Sequence, residues 1–301
     1  MYKKEFLVLI FSFCLQLIIV GSAQALPFSY SVDSFQVTGN LAGNVSDGFN
    51  NGNLDPWSLQ EGTAVESGGV ITLSNPGGVD NFTQAGLDIT MERSAVEVST
   101  ATGPFAVAEG AGDFSVQSTW LPSVPDMNTG YGMTFHYPST GVDQVRIGLD
   151  YTDGQYASLL YGDPSITAPG LYLSFLQITP DPGTGLHNLT FNAQAIPLSE
   201  ADITGNVVFQ LLYNDATNEF SAAYSLDGGS TFQQPFNPFS IQSLSGSIDP
   251  FVELEAGSTS IRSVPEPSSL LLLVTAMLAF PFVGRKRRYY QASYTTLHSR
   301  C

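Results

Sequence analysis

Short segments in which apolar and polar residues alternate are the feature that most constrains the fold of this chain. In GYGMTFHY, residues 130–137, every second residue from Tyr131 onward is large and apolar, and DQVRIGLDY, residues 143–151, repeats the pattern. NVVFQLLY at 206–213 and EFSAAYSL at 219–226 continue it. A period of two residues separates side chains onto the two faces of a β-strand, so these segments predict half-buried strands.

Turn-forming residues separate these segments roughly every eight to twelve positions. Asp153-Gly154, Asn214-Asp215 and Asp227-Gly228-Gly229 are examples, and each favours a tight reversal of the chain. No long stretch shows the 3.6-residue period of an amphipathic helix. The pattern therefore predicts an all-β protein, folded as a β-sandwich or a barrel.

The segment Asp47–Gly77 carries a more specific arrangement. Asp47, Phe49, Asn50 and Gly52 are followed by Pro56-Trp57 and then by Gly68-Gly69. This order resembles the opening of concanavalin A-like lectins and glucanases. The resemblance implies a jelly roll, with another type of β-sandwich as the alternative. The length of residues 26–263, the body of the chain, suits one large all-β domain, with two small domains as the alternative.

The N-terminus has the three parts of a signal peptide. Lys3 and Lys4 precede an apolar run, Phe6–Val20, and Ala23 and Ala25 then form the small-residue site that signal peptidase accepts. We expect residues 1–25 to be removed during export.

The C-terminus has a short apolar segment with basic residues after it. The run Leu270–Val283 would reach only about 21 Å as a helix, against about 30 Å for a bilayer core. Drawing in flanking residues gives a transmembrane helix at about 268–284, followed by a cytoplasmic tail, residues 289–301. Whether this helix is retained or removed stays open at this point.

The same region resembles the PEP-CTERM sorting signal of exported bacterial proteins. The matching residues are Val264, Pro265, Glu266 and Pro267, then the apolar helix, then Arg285, Lys286, Arg287 and Arg288. The resemblance implies processing by an exosortase at residues 264–288 and release to the cell surface and its extracellular polysaccharide.

The composition of the body excludes several classes of protein. Residues 26–263 contain no lysine and no cysteine, and their three arginines against 25 acidic residues give a formal charge of −22. A P-loop and a pyridoxal Schiff base both require a lysine, and such an acidic surface repels nucleic acid. Without cysteine, the body folds without disulfides.

Two carboxylates are the nearest match in this sequence to the paired acids of a glycosidase. Glu253 and Glu255 occupy alternate positions of one strand, about 6.6 Å apart on one face. Glucanases of the jelly-roll type carry a third carboxylate, and this chain has Gly257 there. We therefore predict no catalytic residues, with Leu254 facing the core and both glutamates facing water.

A polar patch follows from the pairing of the two clearest strands. If their apolar faces coincide, His136 lies opposite Gln144 and Thr134 opposite Arg146, with Asp150 on the same face. Hydrogen-bonding groups of this kind can bind a sugar, so His136, Gln144, Arg146 and Asp150 are candidate ligand-binding residues. A solvated strand face without a ligand is the alternative.

No cofactor is indicated by the sequence. The acidic stretch Asp150–Gly154 could attract calcium, but its spacing does not match a calcium-binding loop, and no metal site is predicted. These observations favour an exported, non-catalytic surface or matrix protein that binds carbohydrate. The alternative is a secreted polysaccharide hydrolase.

Overall fold

The computed structural model describes residues 27–40, 43–75, 82–84, 89–107, 112–137, 143–153, 168–181, 185–241, 244 and 250–261. These residues form sixteen β-strands and one short 3-10 helix, Glu200–Asp202. The all-β prediction is therefore confirmed. All described residues lie in one compact unit that ends at Ile261.

The strands form two antiparallel sheets. Sheet A has the order β15-β14-β13-β8-β1-β5-β4, with β2 paired to β1. Its strands are β1 (Phe28–Asn40), β2 (Gly43–Asp47), β4 (Thr63–Ser67), β5 (Val70–Asn75), β8 (Phe114–Trp120), β13 (Val207–Asn214), β14 (Glu219–Ser225) and β15 (Phe239–Ser240).

Sheet B has the order β12-β11-β10-β9-β16-β7-β3, with β6 paired to β7. Its strands are β3 (Ser58–Glu61), β6 (Phe82–Gln84), β7 (Ile89–Ser99), β9 (Thr129–His136), β10 (Gln144–Thr152), β11 (Gly170–Asp181), β12 (Gly185–Leu198) and β16 (Phe251–Ile261).

The two sheets pack face to face through aromatic side chains. The ring centroids of Trp120 on sheet A and Tyr131 on sheet B are 4.8 Å apart, and those of Phe114 and Phe135 are 5.5 Å apart. Buried aromatic side chains contribute a large share of such a core. Leu254 also faces this core and is fully buried, as the alternation of its strand predicts.

The segment that resembles the opening of concanavalin A-like domains is held by one carboxylate. Asp47 accepts hydrogen bonds from the backbone N–H of Phe49 at 2.8 Å and from the indole N–H of Trp57 at 3.1 Å. Both aromatic side chains are buried, and Trp57 packs edge-on against Phe35. Asp47 thereby fixes the path of the chain from sheet A toward sheet B.

The last strand of the chain lies in the interior of sheet B. β16 pairs with β9 on one side and with β7 on the other, so Glu255 lies opposite both Gly132 and Ala95. Two residues earlier in the strand, Glu253 lies opposite Thr134 and Glu97. This position decides which side chains share the outer face of sheet B.

The outer face of sheet A carries no charged or aromatic side chain on five of its strands. Its outward positions alternate with the buried ones on β1, β4, β5, β8 and β13. They are Ser29, Ser31, Ser34, Gln36, Thr38, Thr63, Val65, Ser67, Val70, Thr72, Ser74, Ser115, Gln117, Thr119, Val208, Gln210 and Leu212. Asp33 lies at an irregularity of β1 and is outside this set.

The two terminal predictions fall outside the described residues. They are the signal peptide, residues 1–25, and the sorting segment with its apolar helix and tail, residues 264–301. Within the ranges that the structure describes, no helix has the length and apolar character needed to cross a membrane.

Candidate functional site

The predicted polar patch lies on the outer face of sheet B. The pairing of β9 with β10 places Gln144 opposite His136 and Arg146 opposite Thr134, so the predicted register is confirmed. Asp150 lies on the same face, opposite Gly130. The four candidate ligand-binding residues are therefore neighbours, and their role in binding stays a prediction.

The patch is larger than predicted, because β16 brings its two glutamates onto the same face. We call Arg93, Arg146, Asp150, Glu253 and Glu255 the charged cluster. It joins two cations to three anions through direct contacts. Among the described residues, Arg93 and Arg146 are the only arginines or lysines, so the cluster contains every cation of those strands.

Arg146 makes most of these contacts. Its two terminal nitrogens each lie 3.0 Å from an oxygen of Asp150, and its Nε donates to Glu255 at 2.6 Å. Ser174 accepts from Nη1 at 3.2 Å and donates to Asp150 at 2.8 Å. The edge of the guanidinium group is thus used within the protein, and a bidentate pair of this kind is held in one geometry.

Glycines form the surface beneath this guanidinium group. A Cβ at Gly148 would stand 2.7 Å from Cζ, Nη1 and Nη2 of Arg146, and a Cβ at Gly132 would stand 3.3 Å from Nη2. Because three coplanar atoms are equally distant, the guanidinium plane lies flat over Gly148. The sheet accommodates the arginine only because these positions lack side chains.

Glu255 is shared between the two arginines. Arg93 donates to its Oε2 from Nε at 2.9 Å, while Oε1 accepts from Arg146 and, at 2.9 Å, from the hydroxyl of Thr134. Arg93 also forms an ion pair with Glu253.

The expectation that both glutamates face water is therefore wrong. They do point away from the core, but the side chains of Glu253 and Glu255 are only 6% and 14% exposed. The physical reason is pairing across strands that are distant in sequence, since Arg93 lies on β7 and Arg146 on β10.

His136 lies at the end of the cluster. Its ring stacks on Phe251 with centroids 4.1 Å apart, and its Nε2 is 3.5 Å from Glu253 Oε2. Within the described part of the chain, this buried nitrogen has no hydrogen-bond partner. Burial lowers the pKa of His136 to about 4, against the charge of Glu255, which raises the pKa, and with a smaller lowering by Arg93, so the ring is neutral at pH 7.

The pKa of Glu255 is lowered as well, but in a carboxyl group this shift favours the charged form. Burial raises its pKa, but the charges of Arg93 and Arg146, with hydrogen bonds from Thr134 and Arg146, outweigh burial and lower the pKa to about 2. Glu255 is therefore a stable anion near neutral pH. A general acid needs a proton at the working pH, which this carboxylate does not hold.

The acidic stretch that could attract calcium is engaged in other contacts. Asp150 uses both oxygens for Arg146, and Asp153 accepts a hydrogen bond from the amide of Asn128 at 3.3 Å. Over the described ranges, no three His, Cys, Asp or Glu side chains are placed to hold a metal ion. The signal-cleavage residues Ala23 and Ala25 and the sorting residues lie outside these ranges.

Sequence reasoning did not include Arg93, Ser174, Gly148 or Phe251 in the site. A signal for Arg93 exists, because an arginine is rare in so acidic a body and requires a carboxylate partner. No comparable signal marks Ser174 or Phe251, whose positions follow only from the order of the strands.

Comparison with solved structures finds distant similarities. A lectin from Bauhinia forficata in complex with GalNAc is 13% identical, with 79% of this chain and 100% of that chain covered, at a TM-score of 0.31. An endo-1,3-beta-glucanase from Streptomyces sioyaensis is 10% identical, with 79% and 86% covered, at a TM-score of 0.30. A GH43 glycoside hydrolase is 10% identical with 56% of this chain covered at a TM-score of 0.32, and this chain spans only 34% of its length.

A search of curated proteins found no match to the sequence. Residues 263–288, however, match the PEP-CTERM protein-sorting motif, in agreement with the resemblance in the sequence at 264–288. The chain therefore carries a PEP-CTERM sorting signal and is an exported protein.

Proposed function

We propose that this chain is an exosortase-processed surface or matrix protein whose body binds carbohydrate without cleaving it. Export rests on the sorting motif at residues 263–288. Signal peptidase and an exosortase are the processing partners, and extracellular polysaccharide is the ligand class. The protein is held in the inner membrane by its C-terminal apolar segment during transit, and it ends at the cell surface.

The observation that supports a non-catalytic body is the pairing of both candidate carboxylates with arginine. Glu255 contacts Arg93 at 2.5 Å and Arg146 at 2.6 Å, and Glu253 pairs with Arg93. Glycoside hydrolysis requires one protonated and one free carboxyl group flanking the bond. Neither glutamate is free here, and the pKa of Glu255 lies near 2, which suits an anion but no proton donor.

The groups that remain for a ligand lie at the edge of the charged cluster. Gln144 is partly exposed, and its amide makes no hydrogen bond within the described ranges. The Phe251 ring, stacked on His136, is also partly exposed, and it lies in the same row as Gln144 with His136 between them. An amide and an aromatic ring in one row of a sheet offer a sugar both hydrogen bonds and an apolar surface. In this proposal Arg146 and Asp150 bond to each other and keep the outer face of sheet B rigid, and they do not contact the ligand directly.

The fold that accompanies this function is proposed to be a jelly roll. Its support is the interleaving of distant segments, since β1 lies between β5 and β8, and β16 lies between β7 and β9. Such long-range antiparallel pairing is typical of jelly rolls and other Greek-key sandwiches.

Affinity electrophoresis of the purified protein in polysaccharide gels tests binding, and release of reducing ends tests the alternative. We expect retardation without reducing ends. Gln144→Ala should weaken retardation while leaving near-ultraviolet circular dichroism unchanged, whereas Arg146→Ala should weaken it and also loosen the fold.

A hydrolase remains the alternative because two carboxylates share one face of β16. Reducing ends that accumulate with the wild type and disappear in Glu253→Gln or Glu255→Gln would establish hydrolysis and contradict the proposal. Full retention of binding by both Gln144→Ala and Arg146→Ala would remove this face from the site.

A further inference from the structure

Polar side chains on the outer face of sheet B bond to one another, whereas most of those on the outer face of sheet A do not. On sheet B, Arg146, Glu255 and Asp150 bond to one another. On sheet A, the outward side chains of five strands are uncharged, and most of them make no hydrogen bond within the described ranges. The hydrogen-bonding capacity of sheet A is therefore directed away from the protein.

A row of three glutamines crosses the middle of this face. Gln117 on β8 lies directly opposite Gln36 on β1 and opposite Gln210 on β13. Adjacent strands are about 4.8 Å apart, so the three amides form a regular ladder. All three are partly exposed, and within the described chain none of the amides has a hydrogen-bond partner.

Hydroxyl groups extend the row in both directions along the strands. Ser115 and Thr119 flank Gln117 on β8, and Thr38 lies opposite Ser115. Near the other edge, the hydroxyls of Ser31 and Thr72 are 2.9 Å apart and bond to each other. Amides and hydroxyls both donate and accept hydrogen bonds, which is also true of sugar hydroxyls.

An exposed aromatic ring stands at one end of the face. A Cβ at Gly229 would lie 3.8 Å from Val208 and 3.9 Å from Phe232, which places the Phe232 ring on the outer side of β13. The ring is 43% exposed. It adds an aromatic contact to a surface whose other outward side chains are hydroxyls, amides and a few aliphatic groups, among them the exposed Val65.

Charge identifies the class of partner. The body carries a formal charge of −22, yet the regular outward positions of these five strands carry none of it, with Asp33 at the irregularity of β1 and Glu219 on β14 as the acidic residues nearby. Both described arginines lie on the other sheet. A polyanion is repelled by the whole molecule, and a polycation is drawn to the acidic surfaces elsewhere. A second copy is disfavoured, since protein interfaces are poor in serine and rich in aromatic residues. A neutral polymer meets no electrostatic obstacle here.

We infer that the outer face of sheet A, centred on Gln36, Gln117 and Gln210, binds a neutral, hydroxyl-rich polysaccharide. Each contact is a hydrogen bond exchanged with water and is individually weak. Affinity therefore depends on many sugar units bound along one chain, so polymers bind and single sugars do not. This surface is separate from the sheet B face of the proposed function.

The test is affinity electrophoresis of the purified full-length protein in gels containing dextran, laminarin or galactomannan as neutral probes and alginate as the anionic probe. We expect retardation by a neutral probe, none by alginate, and no release by glucose. The triple variant Gln36→Ala/Gln117→Ala/Gln210→Ala should raise the dissociation constant about tenfold or more. Gln117→Glu should have a comparable effect, because it places a charge in the middle of the row.

Gln60→Glu is the matched control, since Gln60 is exposed on β3 at the edge of sheet B and the change adds the same charge. It should bind as the wild type does, and equal unfolding midpoints for all variants exclude a loss of fold. Wild-type binding by the triple variant, equal retardation by alginate, or no retardation by any neutral probe overturns the inference.

The outcomes also separate this inference from the proposed function. Loss of binding in the triple variant with full binding in Gln144→Ala assigns the ligand to sheet A and removes the sheet B site. The reverse result supports the sheet B site and overturns this inference. Loss in both variants assigns a ligand to each face, and loss in neither contradicts both.

Discussion

The guanidinium group of Arg146 lies flat on the backbone of Gly148, two residues further along the same strand. A Cβ at 148 would stand 2.7 Å from three of its atoms. Because Gly148 has no side chain, the guanidinium group of Arg146 can lie where it contacts Asp150 and Glu255.

Substitution of Gly148 by alanine should displace Arg146 from both carboxylates. Removing one member of a partly buried ion-pair network leaves the others uncompensated, so we expect a loss of about 1–3 kcal/mol in the free energy of unfolding. Urea denaturation measures this loss. Gly170→Ala is the control, because a Cβ there would meet the Tyr172 ring at an ordinary 3.5 Å. Equal unfolding midpoints for the two variants would contradict the arrangement.

Acidification should destabilise the body in two stages. The pKa of His136 is lowered from 6.5 to about 4, so the unfolded chain binds this proton first and stability falls as the pH drops from 6.5 to 4. The pKa of Glu255 is lowered from 4.5 to about 2, so its contribution is present above pH 4.5 and is lost between 4.5 and 2.

His136→Gln separates the two stages. It should remove most of the loss between pH 6.5 and 4, an effect of about 1–3 kcal/mol, and leave the lower stage intact. Denaturation curves at pH 7, 5 and 3 measure both. If the variant loses as much stability as the wild type between pH 7 and 5, His136 is not the group responsible.

Asp47→Ala should destabilise the segment that contains Trp57. It removes the acceptor of the indole N–H and of the Phe49 backbone N–H, and each lost partner of a buried donor costs about 1–3 kcal/mol. Asp47→Asn keeps one carbonyl acceptor and should lie between the alanine variant and the wild type. Tryptophan fluorescence during denaturation follows the change, and an asparagine variant less stable than the alanine variant would contradict the two-bond role.

The sorting signal should be processed in the native host. Proline fixes its own φ and disfavours a helical conformation in the residue before it, so the sequence predicts an extended segment around Glu266, which a protease active site can accept. Mass spectrometry of the secreted protein should therefore find a C-terminus between Val264 and Ser269. Recovery of an intact chain ending at Cys301 in the membrane fraction would show that the segment is kept as an anchor.

The alternation of residues predicted local structure and nearest-neighbour pairing well. The register of His136 against Gln144 was predictable, because the apolar faces of β9 and β10 must coincide. The contacts of Glu255 were not predictable, since they depend on β16 lying between β7 and β9, and strand order depends on long-range packing. The packing of the Arg146 guanidinium group on Gly148 was missed for a different reason. A glycine in a strand indicates that another group approaches the backbone closely, but the sequence does not show which group it is.

The position of β16 has a consequence for biogenesis. Without this strand, β7 and β9 are not neighbours, and sheet B consists of two separate parts with open edges. Because β16 ends at Ile261, the sheet closes only after nearly all of the body has been synthesised and exported. Until that moment the exported chain has an incomplete sheet B. The sorting motif begins only two residues after the strand that completes the sheet.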